Sequence, residues 1–189
     1  MSHRHAKRAR ARGYNTVEVL MAMTIFAIGA SGVIAMQKTS VQASYDARAL
    51  DVATTLARTW QERLSRDAMS WKTPGSLTGT TYLNTLATTP GWQVPQLGSL
   101  PLAGNSAAFD LLGRDVPVAD AQMVFCTQAR AQWMGTTQSL LRVEVRVIWP
   151  RANGAPIASC TDAAVNAALG TPTALPHVLS TATSVRGNF

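Results

Sequence analysis

Residues 13–37 read GYNTVEVLMAMTIFAIGASGVIAMQ, and the fold turns on how this stretch is understood. Between Val19 and Gln37 no side chain carries a charge. As a helix at about 1.5 Å per residue the run is roughly 28 Å long, close to the ~30 Å of a bilayer core. Glu18 stands in the first turn of this run without a basic neighbour inside it. An uncompensated carboxylate in a membrane costs at least a few kcal/mol, so its presence calls for a reason.

Upstream, MSHRHAKRARARG is basic and lacks acids. Arg4, Lys7, Arg8, Arg10 and Arg12 belong to this leader and account for much of the formal net charge of +7. Without those five, 12 basic residues face 10 acidic ones, about +2. The basicity therefore marks a leader and not a nucleic-acid-binding face. A basic end before an apolar helix keeps residues 1–13 in the cytoplasm and exports the rest. Three readings fit this order. In a secretory signal peptide, the apolar region is about Val17–Ile28 and Gly29-Ala30-Ser31 is the cleavage signal. In a single-pass anchor, the helix simply stays in the membrane. Neither accounts for Glu18, whose remaining structural role is to face the positive end of the helix dipole.

Downstream, the helical period continues. Ala43, Ala47, Leu50, Ala53, Ala57, Trp60 and Leu64 recur at three- and four-residue spacing, and no Pro occurs before Lys72. One helix is expected from about Thr16 to about Met69, roughly 80 Å long, apolar all round over 14–37 and amphipathic over 38–71. Gly29 and Gly32 suit either close packing by small residues or local melting of the helix. From Lys72 to Asn105, TPGSLTGTTYLNTLATTPGW and VPQLGSLPLAGN predict loops with short strands at most, a connector over 72–108. Tyr82 and Trp92 are read there as buried plugs rather than exposed ligand contacts.

Strand signals follow at Phe109–Leu112, Gln122–Trp133 and Ser139–Trp149. In SLLRVEVRVIW, Leu141, Val143, Val145, Val147 and Trp149 alternate with Arg142, Glu144 and Arg146, the pattern of a half-buried antiparallel strand. Residues 134–138 fit a hairpin connection, and His177–Val185 a last strand. An amphipathic helix and a small antiparallel sheet bury each other's apolar faces, giving an α+β fold with a globular β domain over 72–189. No internal repeat occurs.

Cys126 and Cys160 are the only cysteines. Export places both where a disulfide persists, and closing the loop between them contributes about 3–4 kcal/mol; two free thiols are the alternative. Catalysis finds no motif: His177 is the one histidine after the leader, and no phosphate loop, zinc motif or nucleophile elbow is present. No catalytic residue, cofactor or metal is expected. Asp110, Asp115 and Asp120 are read as solvated loop carboxylates rather than a calcium site. Arg130, Arg142, Arg146 and Arg151, with Trp133 and Trp149, are read as the polar face of a sheet rather than a nucleic-acid surface.

Gly13-Tyr14-Asn15-Thr16-Val17-Glu18, set between a basic leader and a long apolar helix, resembles the prepilin cleavage motif of type IV pilins and type II secretion pseudopilins. Residues 14–17 depart mildly from that family's commoner Phe, Thr, Leu and Ile. The resemblance implies that a prepilin peptidase cuts after Gly13 on the cytoplasmic side and that Tyr14 becomes an N-methylated first residue. It also implies that the helix stays as anchor and assembly element, with Glu18 pairing with the Tyr14 ammonium of a neighbouring subunit. It further implies a helix-on-sheet pilin architecture with a C-terminal disulfide. The apolar connector, the strand ending in Trp149-Pro150 before a Cys loop, and the final strand look most like PilV-type minor pilins. That branch implies a non-enzymatic subunit that helps prime assembly of a pilus, at its tip, with effects on adhesion or motility. Its partners would be other minor pilins, the major pilin and an inner-membrane assembly platform. It would reside in the inner membrane with its globular domain periplasmic, and then in the surface pilus. A minor pseudopilin of a type II secretion system, and a membrane-anchored binding domain outside any filament, are the alternatives.

Overall fold

The computed structural model describes residues 15–95, 106–118, 120–151, 154, 156–170 and 176–188. The expected long helix is α1, Thr16–Ala68, ending one residue before the predicted Met69. The chain divides into two compact units, Met1–Ala43 and Ser44–Phe189.

In the first unit, the described part of α1 has apolar side chains on every side, and no other described residue is packed on them. Phe26 is 77% exposed and Ile25, Ile28 and Met36 comparably so. Three of its hydroxyls are satisfied within the helix: Thr24 donates to the Met21 carbonyl at 2.8 Å, Ser31 to that of Ile28 at 2.8 Å and Thr39 to that of Ala35 at 3.1 Å. Such back-bonding hides polar groups from an apolar medium. α1 is the one helix among the described residues long and apolar enough to cross a membrane.

The second unit is an α+β layer structure. Five antiparallel strands, β1 Ala108–Phe109, β2 Asp115–Val116, β3 Phe125–Met134, β4 Leu140–Trp149 and β5 His177–Arg186, lie in the order β2-β1-β3-β4-β5. The period of two decides which residues meet the helix. Odd-numbered Phe125, Ala129, Leu141, Val143, Val145, Val147, Trp149 and Val185 face α1, which buries Ala49, Ala53, Leu56, Ala57, Trp60, Leu64 and Ala68 against them. The alanines let the helix sit close to the sheet, while the fully buried Trp60 meets Tyr82 edge-on at 5.5 Å. Trp71 meets Trp133 at 5.4 Å, closing the core where α1 has ended.

Several expectations need correction. The periodicity predicts an apolar stripe on α1 that includes Ala43, Ala47 and Leu50, but these are exposed and burial begins at Ala49. Periodicity locates an apolar line; where the sheet begins beneath it decides which ridge is covered. The connector contains a helix, α2, Tyr82–Thr88. It is started from a distance: Asp67, in the last turn of α1, accepts from the N–H groups of Thr81, Tyr82 and Leu83 at 2.7, 2.8 and 2.9 Å. Residues 96–105 of the predicted connector lie outside the described residues. Strand β1 stops at Phe109, because Asp110 turns the chain; β2 and a short helix, α3 (Asp162–Leu169), carried no recognised pattern. Strand β3 starts at Phe125, three residues after the predicted Gln122.

Strand β4 is buried on both faces from Val143 to Trp149. Its even-numbered side is covered by α3 and the segment before it, where Cys126, Ile148, Ile157, Cys160 and Val165 form a second, smaller core. Cys126 and Cys160 are disulfide-bonded, with their Cα atoms 5.4 Å apart.

Candidate functional site

The first turn of α1 is nucleated by Asn15, whose carbonyl accepts from the N–H groups of Glu18 at 2.9 Å and Val19 at 3.3 Å. Glu18 is the acidic residue of that turn. It lies where unpaired N–H groups point and a negative charge is favoured. Val19, Ala22, Met23 and Phe26 line an open apolar groove beside it. Among the described residues no ion pair reaches Glu18. Among the described residues, neither its carboxylate nor its apolar surroundings have a partner. Gly13 and Tyr14 lie outside the described residues. At Gly29 and Gly32 an added Cβ would meet nothing within 4 Å, so no packing within the chain requires glycine there.

The other sequence candidates are drawn into structure. Asp110, Asp115 and Asp120 do three separate jobs. Asp110 accepts from the Leu112 and Arg114 N–H groups, both at 2.9 Å, and pairs with the Arg114 guanidinium at 2.6 Å. Burial pushes its carboxyl up, but the Arg114 and Leu112 hydrogen bonds and the Arg114 charge outweigh this and hold it below the usual carboxylate range. Asp115 accepts from Ser106 N and Asp120 from Gln122 N. Among the described residues no three potential metal ligands come together.

The arginines do not form a surface with Trp133 and Trp149, which lie on the opposite, helix-covered face. Arg130 and Arg142 both pair with Glu144, at 2.6 and 2.8 Å. Arg146 donates to Gln128 Oε1 at 2.6 Å and to Asp162 at 2.8 Å, and Gln128 Nε2 donates to the Cys160 carbonyl at 2.7 Å. Burial lowers the Arg146 pKa, opposed by the charge and hydrogen bond of Asp162. Trp92, half-buried, covers this network, with the Arg130 and Arg146 guanidiniums 4.7 and 4.3 Å from its ring. Part of the expected polar sheet face is thus a buried network centred on Gln128, Glu144 and Arg146, while Arg142 and Arg151 are exposed. Nothing local in the sequence marks it, because Gln128, Arg146 and Asp162 come from three separate elements. His177 stacks on Trp149 at 5.3 Å, with its Nε2 3.9 Å from Asp46.

The chain matches no family model, no curated protein and no solved structure. The functional reading therefore rests on its own residues.

Proposed function

We propose that this chain is a pilin-class subunit without enzymatic activity, a minor pilin of the PilV type that takes part in priming a type IV pilus from the inner membrane. The observation that carries the reading is Glu18: a carboxylate at the head of a helix with apolar side chains on every side, with no cation among the described residues paired with it. A membrane covers such a helix but leaves the charge uncompensated. An assembly of like helices answers both needs. Cleavage after Gly13 would create an ammonium at Tyr14, and Glu18 of one subunit would pair with that of its neighbour. An opposite charge within ~4–6 Å keeps a carboxylate ionised and offsets much of its desolvation. Glu18 then specifies register and incorporation, in company with other minor pilins and the major pilin. A minor pseudopilin of a type II secretion system uses the same device.

Intact mass and N-terminal sequencing of the chain from membranes containing prepilin peptidase test this. An N-methylated Tyr14 is the expected result; an uncut chain, or one beginning near Val33, would overturn it. Glu18→Ala is expected to insert into the membrane normally and to be depleted from pili, read by quantifying it in sheared filaments. Undiminished incorporation would remove the pairing role.

A further inference from the structure

The sulfurs of the Cys126–Cys160 disulfide are out of reach of any solvent thiol. Both residues are fully buried, and Cys160 Sγ lies 3.5 Å from Met123 Sδ and 3.9 Å from the Ala107 carbonyl oxygen. Thiol–disulfide exchange needs a thiolate to reach a sulfur and form a mixed disulfide. The closed structure admits none, so the bond is made or broken only when part of its cover lifts.

The two sides of that cover are held very unequally. Cys126 stands on β3, which is paired with β4 from Cys126 to Met134 and on its other side with β1 and Gln93. Cys160 stands on the segment Pro156–Gly170, which includes α3 and, among the described residues, takes part in no strand pairing. Within this segment only Ile157, Cys160 and Val165 are buried. Two side-chain hydrogen bonds tie it to β3 and β4: Gln128 Nε2 donates to the Cys160 carbonyl at 2.7 Å, and Arg146 donates to Asp162 at 2.8 Å. The Asp162 side chain is 42% exposed and that of Arg146 is 9% exposed, so the pair fastens the rim of the segment to the buried network. Lifting the segment leaves no group stranded. When Asp162 departs, Arg146 still donates to Gln128 Oε1 at 2.6 Å and gains water.

We propose that residues 156–170 are a flap that gates the disulfide. The flap lifts from β3 and β4 while the strands stay paired, and thiol–disulfide exchange at Cys126 and Cys160 takes place through that opening. The partner that forms the bond is a dithiol oxidant in its disulfide form. One cysteine thiolate attacks an oxidant sulfur to give a mixed disulfide, and the second cysteine thiolate displaces the oxidant from it. The two cysteines lose two electrons and two protons, and the oxidant leaves as a dithiol. Reduction runs the same steps backwards, with a dithiol supplying the electrons. While the bond is closed, Cys160 stays tethered and the residues on either side of it swing clear. The Arg146–Asp162 pair is the latch that returns them. None of this rests on the membrane anchor or on cleavage at Gly13.

The test is reduction of the oxidised full chain in detergent micelles by dithiothreitol, with iodoacetamide trapping the freed thiols for intact mass, alongside amide hydrogen exchange resolved by residue. The parent is expected to be reduced on the order of 100-fold more slowly than the same chain in denaturant, because opening exposes Ile157 and Val165. Asp162→Ala removes one charged hydrogen bond and should speed reduction by about 10- to 100-fold. It should raise amide exchange in Asp162–Leu169 by the same factor and leave exchange along β3 and β4 unchanged. Val165→Ala, which thins the apolar contact of the flap, should act in the same direction. Asp67→Ala loosens α2 instead and should leave the reduction rate unchanged. Reduction of the parent as fast as the unfolded chain would overturn the proposal, since the sulfurs would be reached with the flap down. Equal acceleration by Asp67→Ala and Asp162→Ala would overturn it too, because the whole unit would then be opening. So would a rate that neither flap variant changes. The readout is the two thiols and not the Tyr14 terminus, so failure here and failure of the pilin reading are distinguishable.

Discussion

Reducing the Cys126–Cys160 disulfide removes a constraint on the unfolded chain while leaving the native contacts of both sulfurs nearly unchanged, so its effect can be worked from loop length. The two residues are 34 apart in sequence. Loop-closure entropy of about −2.1 − 1.5R ln n cal/mol/K gives about 3.8 kcal/mol at 25 °C. Both cysteines are fully buried, with Cys160 also against Met123 and the Ala107 carbonyl, so the reduced form keeps the packing of the second core. For a unit of about 150 residues, each kcal/mol shifts Tm by about 2–4 °C, hence a drop of about 8–15 °C. The assay is thermal unfolding of the full chain in micelles, oxidised and reduced, followed by near-ultraviolet circular dichroism of the core tryptophans. The Cys126→Ala/Cys160→Ala chain should melt at or below the reduced one, since it also loses two buried sulfurs. A reduced chain melting within about 2 °C of the oxidised one would refute the loop-entropy reasoning. The unfolded state would then already hold the two segments together.

Asp110→Asn should destabilise the second unit by about 1 kcal/mol near neutral pH by weakening the hydrogen bonds to Arg114. Because the folded carboxyl lies below its ordinary value, its contribution is complete above about pH 4 and disappears as pH falls through the lowered value. The parent and variant melting curves should therefore converge in acid. Asp67→Ala should cost about 0.5–2 kcal/mol and raise amide exchange in Tyr82–Thr88 before the rest of the unit. Arg146→Met should cost about 2 kcal/mol in denaturant unfolding. This is less than the ~3–5 of a fully buried pair, because the Asp162 side chain is 42% exposed.

Much of the second unit could be read along the chain because its signals are local. The alternation over Leu140–Trp149 sets the faces of β4 whatever lies on them, and the stretch from Ala53 to Leu64 marks the covered ridge of α1. The segments that were missed are those whose structure is supplied from elsewhere. TYLNTLAT reads as loop because the group that starts α2 is Asp67, fourteen residues before Thr81. Arg142, Glu144 and Arg146 read as a wet face because alternation reports polarity and not what lies above it. Arg142 is exposed, whereas Glu144 and Arg146 are buried among charged and amide partners from β3 and α3. At the candidate site, Glu18 was legible as an anomaly from its position alone.

By itself, then, the sequence determined the long helix with its apolar and amphipathic halves, the β3–β4 hairpin, the last strand and the isolation of Glu18. Each follows from periodicity, length or charge within one segment. The tertiary structure alone decided which ridge of α1 is covered, that the sheet has a second buried face closed by the disulfide, and that β5 is the last strand of the sheet. Those are properties of which segments lie side by side, and residues far apart in sequence carry no local pattern that fixes their neighbours.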